Sequence, residues 1–137
     1  MTGIDALRRV KALPAKIASA QGMVRTIRYR LESITVAYDK LNVKSTPEHD
    51  RMASLVIAEE RVDELQREYD ELLVSVLTAI GELANERYAD DLRLRYIEGM
   101  SPRRVARTLH YSEQGERRVH KDAREAFERV WVKTERS

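Results

Sequence analysis

The sequence contains no cysteine, one phenylalanine, one tryptophan, and only three prolines and five glycines among 137 residues. Without thiols there is no disulfide framework and no thiolate metal site, and the three histidines, His49, His110 and His120, are too scattered to form a ligand cluster. No Gly-rich phosphate loop, paired histidines or nucleophile and base can be assembled, so the expectation is a non-enzymatic protein with no cofactor and no metal. Adjacent carboxylates occur at Glu59-Glu60 and Asp90-Asp91. Neighbours on a helix point about 100° apart, so both pairs are expected to solvate the surface. No apolar run reaches the length of a membrane span, and none follows a basic N-terminal segment. A soluble cytoplasmic protein without a membrane partner is expected.

What is abundant is charge, 35% of the residues, on a background of Ala, Leu, Val, Arg and Glu, which is the composition of an all-α protein. The net charge of +2 conceals segregation. Residues 1–42 hold 8 Lys+Arg against 3 Asp+Glu, residues 43–86 hold 4 against 11, and residues 87–137 hold 13 against 9.

From Val10 the apolar residues recur at alternating spacings of three and four: Val10, Leu13, Ile17, Ala20, Val24, Ile27, Leu31, Ile34, Tyr38, Leu41. Such a heptad stripe hides from water only against a partner helix. Asn42 to Thr46 interrupts it, after which Thr46 as N-cap, Pro47 in the first turn, and Glu48 with Asp50 mark a new helix start. The second stripe runs Leu55, Ala58, Val62, Leu65, Tyr69, Leu72, Val76, Ala79, Leu83, widened near its end by Leu73, Leu77 and Ile80. So short a connection selects an antiparallel hairpin. Basic flanks at Arg25, Arg28 and Arg30 face acidic ones at Glu60, Asp63, Glu64 and Glu68, which favours this pairing over pairing of like with like. Residues 1–86 are therefore expected to form a long coiled-coil-like hairpin whose surplus apolar surface drives homo-oligomerisation, a dimer foremost. Pro14 removes an amide donor, so residues 2–13 are expected to be a separate short helix or a frayed arm.

Residues 87–137 carry the informative motif. A first short helix with Leu92, Leu94, Tyr96 and Ile97 ends at Gly99, a residue suited to the left-handed conformation. Ser101 caps a second helix that opens with Pro102 and buries Val105, Ala106 and Leu109. His110 and Tyr111 make a tight turn, and Ser112 caps a third helix with an expected inward stripe of Val119, Ala123, Phe127 and Val130, extended by Trp131. Helix, short turn, helix at this spacing offers one convex helix to the major groove of double-stranded DNA. Gln114, Arg117, Arg118 and Lys121 project from the third helix as candidate base readers, with Ser112 at its start. Arg103, Arg104 and Arg107 on the second are candidate phosphate contacts. The plain alternative is a structural three-helix cap with a solvated basic face.

The run Arg95-Tyr-Ile-Glu-Gly-Met-Ser, then Val105-Ala106, Leu109-His-Tyr-Ser and His120, resembles the C-terminal half of phage and prophage regulators of the ArpU type, and also the fourth region of bacterial sigma factors. The resemblance covers about 40 residues and implies a promoter-binding helix-turn-helix acting on late phage gene expression, with RNA polymerase as a possible partner. It maps the second helix onto Pro102 to Leu109 and the recognition helix after Ser112. One position departs: Glu116, beside Gly115, stands where the family has an apolar residue. A carboxylate there must pair with an arginine, turn outward or shift the helix. A structural pairing is the expected role of Glu116, ahead of contact with a cytosine, and packing or a phosphate contact that of His120. Two other functions fit the same motif: a DNA-packaging recognition subunit like a small terminase, and a helical adaptor that does not bind DNA.

Overall fold

A computed structural model describes the backbone of residues 1–41 and 47–136, and the side chains of these except 34–41, 47–49 and 135–136. Among the described residues every regular element is helical: α1 (Gly3–Leu41), α2 (Pro47–Gly81), α3 (Glu86–Leu92), a π-helical stretch (Arg93–Ile97), α4 (Pro102–Leu109) and α5 (Glu113–Arg136). The chain is all-α, with α1 and α2 paired as a hairpin. The connection Asn42 to Thr46, its Thr46 cap, and the side chains of Ile34, Tyr38, Leu41 and His49 lie outside the described residues.

Two compact units result: Pro14–Glu68, and Met1–Leu13 together with Tyr69–Ser137. The division at residue 86 suggested by the motif cuts through the second of them. Within Pro14–Glu68 the stripe closes on Ile17, Val24 and Leu65, each 7% exposed or less. Residues 16–23 line a groove with 58–65, and residues 27–33 line another with 51–54, so the helices run antiparallel. Arg28 donates to Glu59 Oε1 at 3.0 Å, one position from the acidic flank expected to meet it. Ala20, Ile27, Leu31, Leu55, Ala58 and Val62 are only half-buried, because two helices alone cover one side of each stripe.

The other unit has a dense core made of Ala6, Leu7, Val10, Val76, Ala79, Ile80, Leu92, Tyr96, Ala123, Phe127 and Trp131. Its composition corrects one expectation and accounts for another. The first thirteen residues are no frayed arm: α1 continues through Pro14, and Ala6, Leu7, Val10 and Leu13 are at most 1% exposed. The missing Pro14 donor is outweighed by the burial of the apolar residues on either side of it in sequence. The widening of the α2 stripe is also explained within the chain, since Ile80 and Leu73 pack into this core, leaving Val74 and Leu77 exposed.

The start of α1 lies hard against α5. Ile4 N donates to Glu128 Oε2 at 3.1 Å and Trp131 Nε1 to Met1 O at 3.1 Å. A Cβ at Gly3 would fall 2.5 Å from Glu128 Oε2 and 3.0 Å from the Phe127 ring, so a larger residue would displace the carboxylate that holds Ile4 N and press on that ring. Leu7→Ala is therefore expected to destabilise the C-terminal unit by about 2–5 kcal/mol. A fragment beginning at residue 88 should lack a cooperative thermal transition; a sharp melt from that fragment would show that α1 and α2 are dispensable to its core.

Candidate nucleic-acid interface

Local chemistry defines each junction of the helix-turn-helix. Gly99 adopts φ +70° after the π-helical stretch, and Met100 N donates to Leu94 O at 3.0 Å across the turn. Ser101 Oγ accepts from Arg104 N at 3.3 Å, with Pro102 in the first turn of α4. His110 closes α4 in the left-handed conformation, φ 61°, while Tyr111 N returns to Ala106 O at 2.8 Å. Ser112 Oγ then accepts from Gly115 N at 3.0 Å and starts α5. All the capping and turn roles expected of these residues are present.

The outward faces are as expected. Arg103, Arg104, Arg107, Ser112, Gln114, Arg117, Arg118 and Lys121 are all exposed. On α5, Gln114, Arg117, Arg118 and Lys121 follow the i, i+3, i+4, i+7 spacing and so share one face. Arg103 and Glu113 form an ion pair at 3.1 Å with side chains 77% and 61% exposed, which is worth under about 1 kcal/mol and is open to exchange with another anion.

The inward face differs. Val119 is only half-buried, and the buried stripe is Glu116, His120, Ala123, Phe127 and Trp131. Glu116 is 1% exposed and accepts from Arg95 Nε at 3.1 Å, the pairing with an arginine expected of a carboxylate at this position. His120 packs, its ring stacked 5.7 Å from that of Tyr96 and its Nε2 lying 2.8 Å from Tyr96 Oη.

The residue that sequence reasoning misplaced is Asp91, expected at the surface and found 0% exposed. An adjacent-carboxylate pattern gave no hint, but its partner did: a helical repeat of three to four places Asp91, Leu92, Leu94 and Arg95 along one side of the first short helix, which must face α5. As carboxylates, Asp91 and Glu116 have no donor to share, and both Asp91 oxygens and Glu116 Oε2 are buried without a partner. A proton on Asp91 supplies such a donor toward Glu116. Burial first, then the hydrogen bond and charge of Glu116, push the Asp91 carboxyl up to about 8 against the opposing pull of Arg95 and Arg124. Burial, with the positive charges of Arg95, Arg124 and Lys11, lowers His120 to about 3, so its imidazole is neutral.

No group of His, Cys, Asp and Glu suited to a metal ion occurs among the described residues, and none of their helices is long and apolar enough to cross a membrane. No family model matches the chain, and neither does any curated protein or solved structure.

Two outcomes follow from the buried cluster. Arg95→Ala leaves Glu116 buried without its cation and is expected to destabilise by about 3 kcal/mol or more, read as a shift in the urea midpoint. The pH dependence has a defined sign. The folded state keeps a carboxyl proton that the unfolded chain releases near 3.8, so this contribution is full in acid and is lost as pH rises through about 8. The His120 contribution is present above 6.5 and is lost as pH falls toward 3. Between pH 6.5 and 8 only the carboxyl acts, and stability should fall there by at most about 1.4 kcal/mol per pH unit. Asp91→Asn should flatten that decline; an unchanged slope would mean that Asp91 carries no such proton.

Proposed function

We propose that the protein is a sequence-specific duplex-DNA-binding regulator that lays the first turns of α5 in the major groove, with α4 across the phosphate backbone. The observation that carries this reading is the division of α5 into two faces. Gln114, Arg117, Arg118 and Lys121 are exposed together, while Glu116, His120, Ala123 and Phe127 hold the opposite side in the protein. A capped turn presents that face at the start of the helix, where base-edge contacts are made in helix-turn-helix proteins. Arg103, Arg104 and Arg107 are exposed on α4 and suit non-specific phosphate contacts.

The resemblance of Arg95 to His120 to ArpU-type regulators extends the proposal to phage or prophage transcription, in the cytoplasm and alongside RNA polymerase. Self-association is part of it. Met23, Tyr29, Met52, Val56 and Ile57 are 48–72% exposed on the Pro14–Glu68 hairpin, apolar surface that a second hairpin would cover. A dimer suits paired operator half-sites. A ring of about eight or more subunits by native mass measurement would point instead to DNA packaging.

Replacing Arg117, Arg118 and Lys121 together by alanine is expected to abolish discrimination between a selected target and random duplex. Helicity should stay intact, because the buried face of α5 is untouched. Target selection from a random-sequence duplex pool, followed by titration of both proteins, tests this. Retention of wild-type discrimination by the triple variant would remove α5 as the reader.

A further inference from the structure

The helix-turn-helix accounts for the cations of α4 and of the first turns of α5, but not for those at the start of α1. Ile4, Arg8 and Lys11 follow a four-then-three spacing and so share a side of α1. That side lies along one edge of α5. Ile4 N is held by Glu128, Ile4 lines a groove with Lys121 and Arg124, and Lys11 Nζ stands 5.9 Å from the centroid of the Tyr96 ring, which stacks on His120. Passing back along α5 from Glu128 to His120, α1 thus brings Arg8 and Lys11 to the Tyr96 and His120 rings, which Arg124 also faces, while Lys121 lies in the adjoining groove lined by Ile4.

These cations are poorly compensated. Arg8 and Lys11 are exposed and have no carboxylate within ion-pair distance among the described residues. The half-buried Arg124 has an Nε without a hydrogen-bond partner. Of the nearby carboxylates, Glu116 is paired with Arg95, Glu128 holds Ile4 N and Asp91 is buried, while the exposed Glu125 lines the groove with Lys121 and Arg124 and Asp5 lies one turn before Arg8. Burial first, then Arg95, Arg124 and Lys11, disfavour protonation of His120, so it does not offset these cations.

We infer that Arg8 and Lys11 of α1, with Arg124 of α5, form a second anion-binding edge that grips the phosphate backbone of duplex DNA beside the groove entered by α5. This rests on the DNA-binding reading above and adds to it a contact outside the helix-turn-helix. Duplex DNA is the partner because the edge adjoins Lys121, one of the exposed cations of the reading face, and because a row of spaced cations matches a repeating phosphate polyanion. The edge supplies affinity without sequence preference.

The test uses the full chain and a mixed-sequence duplex, with binding followed by fluorescence anisotropy between about 50 and 200 mM salt. The double variant Arg8→Gln with Lys11→Gln removes only exposed side chains, and an unchanged thermal melt verifies its fold. It should flatten the slope of log affinity against log salt by about two, and Lys11→Glu alone should weaken binding at every salt concentration. Arg25→Gln with Arg30→Gln removes the same charge from the Pro14–Glu68 unit and should leave the slope unchanged. An unchanged slope in the Arg8 and Lys11 variant, while wild type binds, would overturn the edge and leave the α5 reading standing. Equal flattening by the Arg25 and Arg30 control would also overturn it, as an effect of net charge. Failure of the wild type to bind any duplex at the lowest salt would overturn the DNA-binding reading itself.

Discussion

Glu116 sits one residue before Arg117 and two after Gln114, so whatever fixes its side chain fixes the azimuth of the outward face of α5. Foremost in fixing it is a charge-assisted hydrogen bond, Arg95 Nε to Glu116 Oε1, reaching from the π-helical stretch to the first turn of α5. An apolar residue at this position would pack, but could tolerate small rotations of the helix. A buried ion pair tolerates far fewer, because a misdirected charge there has no solvent to fall back on. Replacing such a pair with well-matched apolar groups is often neutral or stabilising elsewhere. Its value here is orientation of the helix more than stability.

The π-helical stretch makes that bond compatible with the core. Arg95 and Tyr96 are consecutive, yet both reach α5, the first to Glu116 and the second to His120 one turn later. The extra residue in the wider turn displaces the chain so that two adjacent side chains are usable on one flank, an insertion of the kind often found where a helix does more than pack. Outside this flank, Arg93 holds the turn from the solvent side through Glu98 at 2.9 Å. Beneath it, the first turns of α1 close the core over Phe127 and Trp131, so the orientation of α5 depends on residues more than a hundred positions away in sequence.

How far the sequence discloses this depends on the type of residue. Caps and turns are local, so Gly99, Ser101, Pro102, His110 and Ser112 could be read directly, and the antiparallel hairpin followed from two heptad stripes. The outward basic face was legible for the same reason, being the complement of the buried one. What could not be read were choices settled by packing across long separations. Pro14 looked like a helix terminator, since nothing in its neighbourhood reveals that Ala6, Leu7 and Val10 are covered by the end of α2 and by α5. Val119 and His120 both fit a helical stripe, and only the position of Tyr96 decides that His120 turns inward. Asp91 was only half legible: its repeat with Leu92, Leu94 and Arg95 marks its side of the helix, but a carboxylate is ordinarily exposed, and its burial is tolerable only beside Glu116 and Arg124, from another part of the chain.

The proton on Asp91 has an electrostatic consequence for the surface. Were both carboxylates ionised, they would match Arg95 and Arg124 charge for charge, and the buried cluster would be neutral. With Asp91 protonated below about pH 8, Glu116 neutralises Arg95 alone and Arg124 is left over. The low-dielectric core screens that surplus weakly, so it adds to the field of Arg117, Arg118 and Lys121 on the adjoining face. A buried acidic pair would ordinarily subtract from a basic surface above it. With Asp91 protonated, one negative charge fewer lies beneath the positive face of α5.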